Sequence, residues 1–289
     1  MKLKAPKNKD IGLLRDIADA RRYANDTYHF HLWWLGQSGF LLQWQQTYLL
    51  IDPYLSDSLT HKYAGTDKPH IRMTERVIDP RHLDFIDIAT SSHNHTDHLD
   101  AMTLRPLMDA NPGMKLIIPE ANRAFVAERL GCPKDYPIGL NAGESLELEE
   151  IKVTAVPAAH DELERDQKGR CLYLGYVFQF GPWTVYHSGD TRYHEDIVKA
   201  LRRFSIDLAL LPINGHLPER KVAGNLDADE AVMLAQSIKA RLLIPCHYDM
   251  FTFNTADPDD LARAAEEVSQ PYAILENGER WDSTLLPDR

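Results

Sequence analysis

The segment that most constrains this chain is a cluster of histidines and an aspartate directly after an apolar strand. The sequence DFIDIATSS is predicted to form a buried strand, and it runs straight into HNHTDH. His93 and His95 lie two residues apart, so on an extended segment both imidazoles point to the same side and can reach one cation. Asp97 and His98 are adjacent at a turn into a helix and can point at a second position close by. Because neutral imidazole and carboxylate suit zinc, manganese or iron, the segment predicts a metal site rather than a surface histidine cluster.

Three further candidate ligands each follow a predicted strand. They are His160 in TAVPAAHDE, Asp190 in VYHSGDT and His247 in LLIPCHYDM. Strand ends are places where a rigid scaffold presents functional groups. A carboxylate can bridge two cations through its two oxygens, and a Ser-Gly-Asp turn would present Asp190 for this. His160 taken alone would be interpreted as a loop histidine, and the cluster elsewhere in the chain makes metal ligation the favoured interpretation.

Other residues are predicted to support the site. Asp52 in LLIDPYL is expected to orient a ligand histidine through a hydrogen bond, and His187 is expected to pack beneath the site. His216 and Arg192 are candidates for substrate binding, with an exposed loop histidine and a surface arginine as equal alternatives. Tyr248 is a third candidate, although alternation with the neighbouring histidine along the strand favours the opposite face.

Composition excludes several classes of protein. The 289 residues include 32 Lys and Arg against 43 Asp and Glu, a net charge of −11, which argues against a general nucleic-acid binder. No stretch approaches the roughly 18 apolar residues of a membrane span, and the N-terminus lacks the apolar region of a signal peptide. The three cysteines are far apart and form neither a disulfide framework nor a CxxC metal knuckle. A cytoplasmic location is therefore expected.

The pattern of apolar residues predicts a layered α/β (α+β) protein. Short apolar strands dominate the first half, and helices alternate with strands in the last third. Residues 9–26 are predicted to be a helix, and residues 55–80 a long loop. We expect residues 1–289 to form a single domain, with residues 1–28 as an N-terminal helical extension.

The order of the motifs resembles that of the metallo-β-lactamase superfamily over residues of about 30–250. Within that superfamily the chain looks like the L-ascorbate-6-phosphate lactonase branch, in WWLGQSGFLLQ, SHNHTDHLD, VYHSGDTRY and LIPCHYDMFTFNTADP. The resemblance implies an αββα sandwich of two mixed β-sheets flanked by helices, with the metal site at one sheet edge. The resemblance also implies that one metal would be held by His93, His95 and His160. A second metal would be held by Asp97, His98 and His247, and Asp190 would bridge the two.

The function implied is that of a metal-dependent hydrolase with one or two divalent ions, Mn²⁺ or Zn²⁺. Such ions lower the pKa of bound water from 15.7 toward about 7, and Asp97 or Asp190 would orient the nucleophile or accept its proton. The expected substrate is a small anionic lactone or ester, such as the sugar-acid lactone L-ascorbate 6-phosphate. A phosphodiesterase and a non-catalytic metal-stabilised scaffold are the alternatives. We expect a small-molecule partner, no nucleic acid and no membrane, and leave a homo-oligomer open.

Overall fold

The computed structural model describes residues 2–23 and 25–288, and these form two β-sheets. The strands are β1 Phe30–Gly36, β2 Gly39–Trp44, β3 Thr47–Ile51, β4 Ile88–Thr90, β5 Lys115–Pro119, β6 Ile138–Leu140, β7 Ser145–Leu148, β8 Ile151–Pro157, β9 Leu174–Phe180, β10 Trp183–His187, β11 Leu208–Pro212, β12 Leu242–Cys246 and β13 Arg280–Asp282. The first sheet has the order β13-β1-β2-β3-β4-β5-β6, and the second has the order β12-β11-β10-β9-β8-β7. Both sheets are mixed: β2 and β3 pair antiparallel while β3 and β4 pair parallel, and β9, β10 and β11 repeat this change.

Alternation along the strands separates two apolar cores. In β1, Leu32 and Trp34 pack into the core between the sheets, whereas Trp33 and Leu35 pack into a second core on the other face of the first sheet. Successive side chains of a strand point to opposite faces, so a strand buried on both faces reads as a continuous apolar run. This explains the unbroken run HLWWLG in the sequence.

Helices cover the outer faces of both sheets. The α-helices are α1 Ile11–Ala20, α2 Ser58–Lys62, α3 Ala101–Ala110, α4 Arg123–Leu130, α5 Glu195–Leu201, α6 Ala228–Ser237 and α7 Pro258–Glu267. Shorter 3₁₀ turns lie at Arg21–Tyr23, Pro80–His82, Glu120–Asn122, Pro218–Arg220 and Ser283–Leu285. Side chains of α1, α3 and α4 join the core outside the first sheet, and those of α5, α6 and α7 pack with the second sheet. The expected αββα arrangement of two mixed sheets flanked by helices is confirmed.

Two local predictions differ from the structure. The helix predicted over 9–26 spans only Ile11–Ala20 and continues as a single 3₁₀ turn, and residue 24 of that prediction lies outside the described residues. Asp26 accepts a hydrogen bond from the backbone N–H of Tyr28 at 2.8 Å, a local turn that competes with helix. The loop predicted over 55–80 contains the short helix α2. Within the described residues, no helix has the length and apolar character needed to cross a bilayer.

The chain reverses direction after four strands at the same edge of the sandwich. His93 follows β4, His160 follows β8, Asp190 follows β10 and His247 follows β12. All four are buried, with 4% exposure or less. The topology therefore brings the candidate ligands from distant parts of the sequence to one place.

Candidate metal centre

Residues 93–98 form a bent loop between β4 and α3 rather than the extended segment assumed from the sequence. The backbone N–H groups of His98 and Leu99 both donate to the carbonyl of His95, which closes a turn. The rings of His93 and His95 nevertheless converge, with centroids 4.6 Å apart. The turn, rather than strand alternation, is what directs both imidazoles to one side.

Two groups of potential ligands share one carboxylate. In each group, one ligand atom from every member lies within 4.8 Å of those of the others. The first group is His93, His95, His160 and Asp190, and the second is Asp97, His98, Asp190 and His247. These are the seven residues that the resemblance assigned to two metals, and the partition between the groups is the same.

Asp190 lies between the two groups. Its Oδ1 is 3.2 Å from His98 Nε2, and its Oδ2 is 3.5 Å from both His160 Nε2 and His247 Nε2. Gly189, which precedes it, has φ of 60°, and a Cβ there would lie 2.6 Å from the Cβ of Ser92. Only glycine fits this turn, which holds the carboxylate between the two sets of imidazoles.

Hydrogen bonds from the opposite ring nitrogens direct Nε2 of three histidines into the site. His98 Nδ1 donates to Asp52 Oδ2 at 2.8 Å, and His160 Nδ1 donates to the carbonyl of Gly224 at 2.6 Å. His93 Nδ1 lies 2.9 Å from Ser92 Oγ. A ligand histidine usually donates its second N–H in this way, which fixes its tautomer and orientation.

The donor set fits divalent metal ions. His93 Nε2 is buried and has no hydrogen-bond partner among residues 2–23 and 25–288, which is costly unless another species binds there. Nitrogen and carboxylate ligands grouped around two centres suit Zn²⁺, Mn²⁺ or Fe²⁺. His93, His95 and His160 would hold one ion, Asp97, His98 and His247 the other, and Asp190 would contact both.

The two groups differ in their electrostatics. Burial, with His160 nearby, lowers the pKa of His95 to about 4, and burial also holds the pKa of His93 well below its usual value. In the second group burial opposes the charged form of His247, but Asp190 and Asp97 together outweigh burial and raise the pKa of His247 to about 9. His93 and His95 therefore offer neutral imidazoles, whereas His247 carries a proton that a bound cation would displace.

Two residues predicted to support the site lie directly beneath it. Asp52 is fully buried and contacts His98, as described above. His187 Nε2 donates to the carbonyl of Ser38 at 3.0 Å, and His187 Nδ1 accepts from the backbone N–H of Gly189 at 3.2 Å. His187 thus supports the turn that presents the bridging carboxylate without contacting the ligand groups itself.

A cavity of about 260 Å³ opens above the ligand groups. Its lining includes the three lysines Lys62, Lys68 and Lys221 and several aromatic rings. The aromatic residues are Tyr63, His70, Phe251 and Phe253. A larger surface hollow of about 660 Å³ beside Tyr48 and Phe85 contains no histidine, so volume alone does not identify the site.

His70 and Gln37 are site residues that the sequence analysis missed. The ring of His70 stacks on Tyr63 with centroids 4.5 Å apart, and its Nδ1 donates to the carbonyl of Lys68 at 2.8 Å. Gln37 Nε2 donates to Asp97 Oδ2 at 2.8 Å. Neither residue belongs to a spacing pattern, and the only signal for His70 was its place in a long loop.

None of the three substrate-binding candidates is among the residues that line the cavity. Arg192 and His216 do not line the cavity; each points instead toward Glu230, at 4.0 Å and 3.6 Å respectively. Tyr248 is buried, stacks on Trp34 with centroids 4.3 Å apart and donates to a backbone carbonyl. Helix α6 sets the direction of the Arg192 and His216 side chains, and the first sheet sets that of Tyr248. These contacts join distant segments, so the local sequence does not show them.

Comparison with known proteins adds a family and several relatives. The sequence model of the beta-lactamase superfamily domain matches residues 47–248. A metal-dependent hydrolase of Opitutus terrae is 30% identical over 253 residues, covering 86% of this chain and 97% of the relative. One from Hyperthermus butylicus is 28% identical over 252 residues, with 86% and 97% covered. A probable L-ascorbate-6-phosphate lactonase of Escherichia coli is 25% identical over 260 residues, with 80% and 73% covered.

Solved structures share the fold. A metallo hydrolase from Ignicoccus hospitalis superposes with a TM-score of 0.63 at 21% identity, covering 88% of this chain and 98% of the other. A possible metal-dependent hydrolase from Veillonella parvula gives a TM-score of 0.69 at 18% identity, with 87% and 98% covered. At these identities the likeness concerns the fold alone.

Proposed function

Because this chain belongs to the beta-lactamase superfamily, as its motif order predicted, and is a metal-dependent hydrolase, we propose that it hydrolyses a small anionic lactone or ester. The observation that carries the proposal is the pair of ligand groups that share Asp190 beneath a small, lysine-lined cavity. Mn²⁺ and Zn²⁺ are the proposed ions. A sugar-acid lactone such as L-ascorbate 6-phosphate is the proposed kind of substrate, supported by the resemblance to the lactonase branch.

The proposed chemistry is hydrolysis by an activated water molecule. Bound divalent ions would supply Lewis acidity, which acidifies water and polarises the attacked carbonyl. Asp97 is held by Gln37, and its side chain is 14% exposed, more open to the cavity than the 4% of Asp190. Asp97 is therefore the better placed carboxylate to accept a proton from the attacking water, and Asp190 the better placed to hold the two halves of the site together.

Size and charge support a small anion. At about 260 Å³ the cavity lies below the roughly 300–1,000 Å³ of sites for drug-sized ligands, so it suits a small metabolite rather than a polymer. The net charge of −11 would repel a polyanion over any extended surface, whereas three lysines at one cavity attract a single anionic group.

The second candidate is a metal-dependent phosphodiesterase, because the same lysines would also attract a phosphodiester. A non-catalytic metal-stabilised scaffold is less well supported, since the ligand groups face an open cavity. The test is a panel of sugar lactones, phosphorylated lactones, cyclic nucleotides, aryl phosphodiesters and short RNA, assayed with Mn²⁺ and with Zn²⁺. Lactone turnover well above that of the diesters supports our proposal, and selective diester or RNA cleavage would replace it. Full metal content without turnover of any compound would favour the scaffold.

We also propose a cellular location, a domain organisation and a class of partner for the enzyme. All three cysteines, which lie in the described part of the chain, are unpaired, and this supports a cytoplasmic location. Helix α1 packs on the first sheet through Leu13, Ile17 and Ala20, which supports a single domain that includes the N-terminal extension. The proposed partner is a small molecule, without nucleic acid or membrane.

A further inference from the structure

Three lysines line the cavity above the ligand groups. In the described part of the chain, none of Lys62, Lys68 and Lys221 forms an ion pair with a carboxylate. By contrast, four lysines elsewhere each contact an acidic side chain; these are Lys4, Lys7, Lys9 and Lys199. Three cationic side chains that line one small cavity without such a partner favour an anion that comes from outside the chain.

The carboxylates of the cavity do not supply that counter-charge. Asp97 and Asp190 are the acidic side chains that line it, and both belong to the ligand groups. Two bound divalent ions would more than offset these two charges. The cavity of the loaded enzyme would therefore be positive at its floor and at its rim.

Hydrogen bonds position the side chains of two of the three lysines. Lys62 Nζ donates to Thr96 Oγ1 at 3.1 Å, next to the ligand Asp97, and Lys68 Nζ donates to the carbonyl of Lys221, which joins two separate loops. The carbonyl of Lys68 accepts from His70. A site whose parts are already positioned loses less free energy on binding than one that must be ordered.

We propose that Lys62, Lys68 and Lys221 form a subsite for a phosphoryl group at the end of the substrate that does not react. This inference rests on the proposed function, because it names the anionic part of the same substrate. Three ammonium groups match a phosphate monoester, which carries close to two negative charges and three terminal oxygens, better than they match a carboxylate. Lysine binds phosphate as a point charge from a flexible stem, and such contacts suit a group that must enter and leave.

The experiment measures binding of inorganic phosphate to the metal-loaded protein by titration calorimetry. We expect K62Q and K221Q each to weaken the affinity about five-fold, and the double variant at least about ten-fold, since a charge-assisted hydrogen bond that is partly exposed contributes about 1 kcal/mol. K152Q is the matched control, because Lys152 is exposed on β8 at the far end of that strand from His160. An affinity that is unchanged in the double variant, or no binding to the wild-type protein, would overturn the subsite.

Turnover separates this inference from the proposed function. The double variant should lower kcat/KM for a phosphorylated lactone by a larger factor than for the unphosphorylated lactone, mainly through KM. Hydrolysis of lactones together with lysine-independent phosphate binding would leave the proposed function standing and remove the subsite. Lysine-dependent phosphate binding without hydrolysis of any lactone would support the subsite and overturn the proposed function.

Discussion

Replacing Asp52 with asparagine tests how the metal centre is oriented from below. Asp52 is completely buried, and its Oδ2 accepts from His98 Nδ1 at 2.8 Å. Its Oδ1 accepts from Thr90 Oγ1 at 2.9 Å and from the backbone N–H of Ser92 at 3.0 Å. Both carboxylate oxygens therefore act as acceptors. Asparagine keeps the shape but has a single acceptor oxygen, so its amide group must face a donor on one side or the other.

The expected losses follow from this mismatch. Mutating a partner that orients a metal ligand typically weakens metal affinity 10- to 100-fold, which is about 1.4–2.8 kcal/mol. A buried donor left without an acceptor lowers the free energy of unfolding by about 1–3 kcal/mol. We expect Asp52→Asn to show both effects, with the metal loss confined to the ion held by His98.

The assay pairs metal competition against a chromophoric chelator with urea unfolding. Asp207→Asn is the matched control: Asp207 is equally buried and accepts from the backbone N–H of Thr184 at 2.9 Å and from Arg241 at 2.7 Å, but it lies at the opposite end of β11 from the cavity. The control should lose stability and keep its metal affinity. If Asp52→Asn also keeps its metal affinity, Asp52 does not orient the ligand and the reasoning is refuted.

Four further predictions concern the site. His95→Ala should lose metal, measured by atomic absorption, without unfolding, because this imidazole is only partly buried; full metal content would contradict its assignment. Asp190→Asn should lower kcat at least about 100-fold, the upper end for residues that only orient a ligand, and should affect stability less; near-normal turnover would exclude a bridging role. His70→Phe keeps the stack on Tyr63 but loses the hydrogen bond to Lys68, so KM should rise several-fold at unchanged metal content, and an unaltered KM would exclude substrate contact. In the metal-free protein the raised pKa of His247 contributes stability that is fully present below about pH 6.5 and is lost as the pH rises through about 9. Urea unfolding at pH 10 should therefore need less denaturant than at pH 6. Equal unfolding midpoints at the two pH values would contradict this prediction.

The candidate metal ligands could be proposed from the sequence because the chemistry of a side chain and its place after an apolar strand are both local properties. The cluster HNHTDH and the polar residues after three later apolar strands indicate which side chains can bind a cation. In this fold the ends of those strands lie at one edge of the sandwich. The pattern of apolar residues predicted only a layered α/β protein, whereas the two mixed sheets flanked by helices followed from the resemblance to the metallo-β-lactamase superfamily. The local prediction was wrong about how His93 and His95 converge, because a turn closed by His98 and Leu99 replaces the extended segment.

The rest of the site depends on contacts between distant parts of the chain. Lys68 and Lys221 meet across 153 residues, and His31 in β1 pairs with Asp282 in β13 across 251. Loop side chains such as Arg192 take their direction from whichever helix packs beside them, in this case α6. The sequence by itself therefore determined which atoms can hold metal and the class of fold that carries them. Only the tertiary structure decided which lysines and aromatic rings enclose the space above the metal, because burial and long-range charge belong to the assembled surface and not to any one segment.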